Sequence, residues 1–136
     1  MPAKNKLVID TNLWVSWLIS KKHTHLSRIL SNPNIEIFSS AEQITELFQV
    51  IDRSKFSKYI PADVAEEFKL FFIEAVTLIR VRAKVKASRD SKDDFLLALA
   101  KTAKAGYLLT GDKDLLVLEK FYGTQIITIA HYVGAI

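Results

Sequence analysis

Cysteine is absent from the 136 residues, which excludes a disulfide framework and a thiolate zinc site and points to a reducing, cytoplasmic setting. An unbroken apolar run long enough for a signal-peptide core or a membrane span is missing too. The segment MPAKNKLVIDTNLWVSWLISKK comes nearest, with basic flanks, but Asp10 and Asn12 interrupt it. Tight hairpin signals are scarce, and there is no repeat or low-complexity tract, so strands are expected to be joined by crossovers. What remains is a chain that is 49% hydrophobic with a formal charge of +4. That size suits a single domain over 1–136 with a real core, and the charge leans mildly towards an anionic partner.

Residues 7–9, Leu-Val-Ile, read as a buried parallel strand that ends in Asp10. Leu13, Trp14, Trp17 and Leu18 recur at helical spacing, and Leu26, Ile29 and Leu30 continue the pattern until Pro33. A second strand at 35–38 leads into a helix capped by Ser39 or Ser40, with Ile44, Leu47, Phe48 and Ile51 on one face and Glu46 on the same helix. KFSKYI and PADVAEEFKLFFIEA read as a helical pair with Pro61 at a first helical position. Residues 77–83 predict a third strand, KVKASRD a polar loop, and Ser91 a cap for the helix KDDFLLALAKTAKA, which Gly106 ends. YLLT at 107–110 is strand four, GDKDLLVLEKF a loop with a short helix, and IITIA at 126–130 strand five. Such alternation predicts a mostly parallel sheet covered on both faces, with function gathered beyond the carboxyl ends of its strands.

Acidic residues fall at those ends. Asp10 follows strand one, Asp93 and Asp94 open the late helix, Asp112 follows strand four, and Glu46 can lean back from its helix into the same crevice. Carboxylates converging there would repel one another unless cations sat among them. An oxygen-only donor set without His or Cys suits Mg²⁺ or Mn²⁺, whose chemistry serves phosphodiester hydrolysis. Each acid also has a plainer reading. Asp10 can be a helix N-cap, Glu46 a solvated helix residue, Asp93 and Asp94 first-turn acids favoured by the helix dipole, and Asp112 an ordinary turn residue. Only their coincidence favours a site.

The stretches VIDTNLWVSWL, AEQITELFQVI and RDSKDDFLLALAKTAKAGYLLTGDKDLLVL together resemble the PIN-domain nucleases, in particular the VapC-like ribonucleases that serve as toxins of bacterial toxin–antitoxin pairs. The resemblance runs from Leu7 to Ile129 and is most specific over residues 89–118. It implies a three-layer α/β/α sandwich around a five-stranded parallel sheet and an Mg²⁺- or Mn²⁺-dependent endoribonuclease acting on RNA. A homodimer and a small antitoxin that blocks the site belong to the same expectation. By position it assigns the catalytic and metal-binding acids to Asp10, Glu46, Asp93 and Asp112, with Asp94 competing for the third place. Thr11, Asn12, Thr110 and Asp114 match supporting polar positions. Lys92 and Phe95 fall where relatives vary, and Gly106 stands where Asp is common.

Other groups read less sharply. His23, His25 and His131 have no second ligand at metal spacing, and Trp14 and Trp17 suit a core or a dimer surface. Arg80, Arg82, Lys84, Lys86 and Arg89 either line a phosphate path or form a solvated loop. A receiver domain is disfavoured because no acceptor Asp ends strand three and no Lys follows strand five. A haloacid-dehalogenase-like phosphatase would need Asp where Asn12 stands. The remaining alternative is a catalytically silent module of the same fold that binds RNA or protein.

Overall fold

Strand β1 (Asn5–Ile9) is the spine of a six-stranded sheet in the order β3-β2-β1-β4-β6-β5, as seen in a computed structural model that describes residues 5–20, 24–82 and 91–135. Leu7, Val8 and Ile9 are fully buried, as the unbroken apolar run of a strand covered on both faces requires. β2 (Ile35–Ser39) and β4 (Tyr107–Leu109) flank β1, both parallel to it. β3 (Thr77–Leu78) extends the sheet on one side and β6 (Thr124–Ile127) on the other, again parallel. β5 (Lys120–Phe121) closes the far edge and is antiparallel to β6.

Alternate strand residues feed two separate cores. Leu7, Ile9 and Leu109 join a cluster with Trp14, Leu47, Phe68 and Phe72. These come from α1 (Thr11–Ile19), α3 (Ala41–Ile51) and α4 (Ala62–Ala75), and α2 (Thr24–Leu30) adds Leu26 and Ile29. Val8 and Leu108 face the opposite cluster, built chiefly from Leu96, Leu97, Leu99, Ala100 and Ala103 of α5 (Ser91–Ala103), with Leu115 of the short α6 (Lys113–Leu116). The result is the three-layer α/β/α arrangement that the sequence predicts.

Four local features differ from the expectation. The third strand stops at Leu78, although the Ile79 amide still donates to the Ser39 carbonyl at 3.0 Å. β2 itself ends at Ser39, so the edge ladder has nothing further to pair with. The polar loop and the last residue of the expected strand lie outside the described residues, as does the Ser91 side chain proposed as a cap. The last strand ends at Ile127 because Thr128 accepts from the His131 amide at 3.1 Å and starts α7 (Ile129–Ala135), whose Tyr132 and Val133 bury in the first core. β5 is the sixth strand, added through a two-residue turn in which Tyr122, not Gly123, takes a positive φ of 53°. Finally, Pro61 sits one residue earlier than expected, at the N-cap of α4.

Trp14 anchors the first core. Its ring packs edge-on to Phe72 at 4.8 Å between centroids and lies 6.2 Å from Phe68, with only 1% of its surface exposed. Truncation at such a position costs about 3–5 kcal/mol, a large share of a domain's total stability. Trp14→Ala is therefore expected to lower the urea midpoint steeply, and an unchanged midpoint would show that α1 is held by something other than this packing.

Candidate functional site

The chain leaves β1 towards one edge of the sheet and returns at β4 to build the other half, so the gap beyond the carboxyl ends of β1 and β4 is the topological switch point where such sheets bind ligands. The register pairs Ile9 with Leu109. Asp10 and Thr110, the residues that follow, are thereby set side by side, and the Asp10 amide donates to the Leu109 carbonyl at 2.9 Å.

A chain of hydrogen bonds organises this junction. Asp10 caps α1, its Oδ1 accepting from the Asn12 amide at 3.0 Å. Its Oδ2 accepts from the Thr110 hydroxyl at 2.7 Å, across 100 residues of sequence. The same Thr110 oxygen accepts the Asp112 amide at 3.0 Å. Asp112 in turn caps α6, accepting the Asp114 amide at 2.8 Å. Thr110 is completely buried and Asp10 nearly so, at 0% and 6% exposure.

Burial lifts the Asp10 carboxyl above its ordinary pKa of 3.8. The hydrogen bonds from Thr110 and Asn12 pull the other way, and the Asp112 charge adds to the rise. The protein therefore disfavours a charge at Asp10 when nothing positive stands beside it.

Asp10, Glu46, Asp93 and Asp112 all line one cleft of about 420 Å³. α5 delivers Asp93 from its first turn into a nearly buried position at 5% exposure. Asp94, the next residue, is half-buried and is not among the residues lining the cleft. α3 delivers Glu46 half-buried from its middle. Among the described residues the tightest acidic group is Asp93, Asp112 and Asp114, each offering a carboxylate oxygen within 4.8 Å of the others. Asp114, expected only in support, thus stands closer to this group than Asp10 or Glu46 does. Three carboxylate oxygens at that separation, with no nitrogen or sulfur among them, fit a hard divalent cation such as Mg²⁺ or Mn²⁺.

Of the remaining supporting residues, Asn12 lines the main cleft and Thr11 is buried beside a smaller hollow that also touches Glu46. Neither His25 nor His131 lines the cleft, and His23 lies outside the described residues. Trp14 is core, and the indole N–H of Trp17 donates to the Ser27 hydroxyl at 3.0 Å. Arg80 and Arg82 are exposed, and the rest of that basic run lies outside the described residues.

One contributor escaped the sequence reading. Ser40 caps α3 by accepting the Gln43 amide at 3.2 Å, and a Gln three residues after a Ser cap ordinarily reaches back to the cap's own amide. Here the buried Gln43 side chain instead donates to the Ile9 carbonyl at 2.7 Å and accepts from the Ser39 hydroxyl. It ties α3 to the residue just before Asp10. The cap pattern was legible, but the side chain's long-range partner was not.

A model of the PIN domain family matches residues 6–114, a span that includes every acid named above. The chain belongs to the PIN domain family. PIN domains are generally metal-dependent nucleases. No curated protein matches the chain.

The Asp10 shift has a testable consequence. A folded-state pKa above the unfolded value means that stability linked to Asp10 is fully present below about pH 3.8 and is lost as pH rises through the folded pKa. In EDTA at neutral pH, Asp10→Asn is expected to melt at a higher temperature than the unaltered chain. The gap should shrink on acidification, and saturating Mg²⁺ or Mn²⁺ should favour the unaltered chain. A lower Tm for Asp10→Asn in EDTA across this range would show that the Thr110 and Asn12 hydrogen bonds outweigh desolvation.

Proposed function

We propose that the protein is a metal-dependent endoribonuclease that hydrolyses RNA phosphodiester bonds, with Mg²⁺ or Mn²⁺ as cofactor. The convergence of acids from four separate segments on one cleft at the sheet's switch point is the observation that supports this most. Asp93, Asp112 and Asp114 would hold the ion, and Asp10 and Glu46 would face it from the cleft wall. When bound, such an ion lowers the pKa of water and neutralises charge on a phosphoryl oxygen.

The protein's own groups do the rest. Thr110 fixes the orientation of the Asp10 carboxylate and the Asp112 backbone together. Gln43 fixes the end of β1. No side chain needs to act as a nucleophile, and the half-buried Glu46, which lines the cleft, would accept a hydrogen bond from an attacking water. The resemblance to VapC-like proteins supports the finer proposal of a toxin in a toxin–antitoxin pair, working in the cytoplasm as a homodimer and restrained by a small antitoxin. Among the described residues no helix is long and apolar enough to cross a membrane.

The test compares the unaltered chain with Asp112→Asn on a structured RNA. Cleavage is expected with Mg²⁺ or Mn²⁺, to be abolished by EDTA, and to fall by at least ~100-fold in the variant, since even partners of metal ligands are worth about 10–100-fold. Induced in a bacterium, the unaltered chain should arrest growth and the variant should not. Equal cleavage by both proteins would overturn the role given to these acids, and none by either would leave the silent binding module as the better account.

A further inference from the structure

The cleft is longer than its acidic end. Along α1, Asn12, Val15 and Ile19 line it at helical spacing, and on the opposite wall Glu46 and Val50 of α3 are followed by Arg53, just past the end of that helix. Asn12 and Ile19 are seven positions apart on α1, so that wall runs about 10 Å from the acidic end. Its character changes on the way. Val15 and Val50 are apolar positions past the acids on α1 and α3, and the segment after α3 adds the Phe56 ring beside the cations Arg53 and Lys55.

Those two cations are not spent on the protein itself. Lys69 pairs with Asp52 and Glu66, so even the acid next to Arg53 is engaged elsewhere. Arg53 and Lys55 are exposed on the segment between α3 and α4, and neither pairs with an acid of the cleft they share. Lys55 lies over the Phe56 ring, 5.0 Å from its centroid.

An acidic end that takes a phosphate through an ion, an apolar middle and a cationic end describe a ligand with two phosphates and a flat apolar group between them. A mononucleotide has a phosphate at one end only. A duplex is too wide for a cleft of about 420 Å³, whereas an unpaired strand can splay its bases onto side chains. Building on the nuclease reading above, we propose that the groove between α1 and α3 is the path of a single RNA strand. Arg53 and Lys55 grip the phosphate next to the one at the acids, and a base or sugar rests on Val50 and Phe56.

The experiment measures binding, so it does not depend on cleavage. A 5′-fluorescein single-stranded RNA is titrated by anisotropy against Asp112→Asn protein with Mg²⁺, with and without Arg53→Gln plus Lys55→Gln. The pair of substitutions is expected to weaken binding about tenfold and to reduce the slope of log K against log salt by about 0.7, because the one phosphate they grip contributes about 0.7 on a single strand. A charge-matched control, Lys101→Gln plus Lys120→Gln, removes two exposed lysines that do not line the groove and should leave affinity within about twofold. An unchanged affinity and slope overturns the proposal, as does an equal loss in the control, or displacement of the strand by a nucleoside monophosphate at equal concentration. Failure of the nuclease reading shows differently, as absent cleavage by the unaltered chain while the binding differences remain.

Discussion

The hydroxyl of Thr110 holds the site together. It donates to the Asp10 carboxylate and accepts the Asp112 amide, so one buried side chain fixes two acids that lie about a hundred residues apart in sequence. That pair of hydrogen bonds is available only because β1 and β4 are neighbours in the register that pairs Ile9 with Leu109. A slip of one residue would turn Leu7, Val8 and Ile9 to the wrong cores and would separate Asp10 from Thr110 as well. Packing and chemistry are therefore set by the same alignment. The apolar run selects the register, and the register assembles the polar junction.

A cleft of carboxylates in a chain of net charge +4 is a local reversal of the overall field. Long-range attraction still brings a polyanion towards the protein, but at the acids themselves it would be repelled. A divalent ion held by Asp93, Asp112 and Asp114 would make the arrangement coherent, because it would invert the local sign in the cleft. Burial of Asp10 sharpens this. Its carboxyl resists ionisation in the folded chain, so a bound cation and the charged form of Asp10 favour each other.

The legible part of the structure was the part governed by short-range pattern. The apolar run at 7–9, the amphipathic spacing of α3 and α5, and the acids placed at strand ends all predicted elements that the fold contains. A mostly parallel sheet covered on both faces followed from their alternation, and the three-layer sandwich from the resemblance to PIN domains. The missed features depend on contacts remote in sequence. Gln43 looked like a routine residue of a capped helix until its partner, the Ile9 carbonyl, was in place. The end of β3 is set by where β2 stops, which the residues at 79–83 do not encode. α7 was hidden because Ile126 to Ala130 is as good a strand by composition as the start of a helix, and only the Thr128 cap decides between them. Asp114 was undervalued for a similar reason: its nearness to Asp93 arises from the docking of α5 against the β4–α6 turn.

The plain and the sharp readings of the acids also turn out not to compete. Asp10 and Asp112 are both N-caps, and Asp93 lies in the first turn of α5. Each of the three sits where free amides and the helix dipole favour a negative charge, which offsets part of their mutual repulsion before any ion binds. A carboxylate has room for about four hydrogen bonds or ligands, and Asp10 uses two of those places for Asn12 and Thr110. Capping therefore orients the carboxylate without exhausting it. Glu46 has no such local support, being mid-helix and half-buried. Of the four acids that line the cleft, it is the one that neither caps a helix nor sits in a helix's first turn.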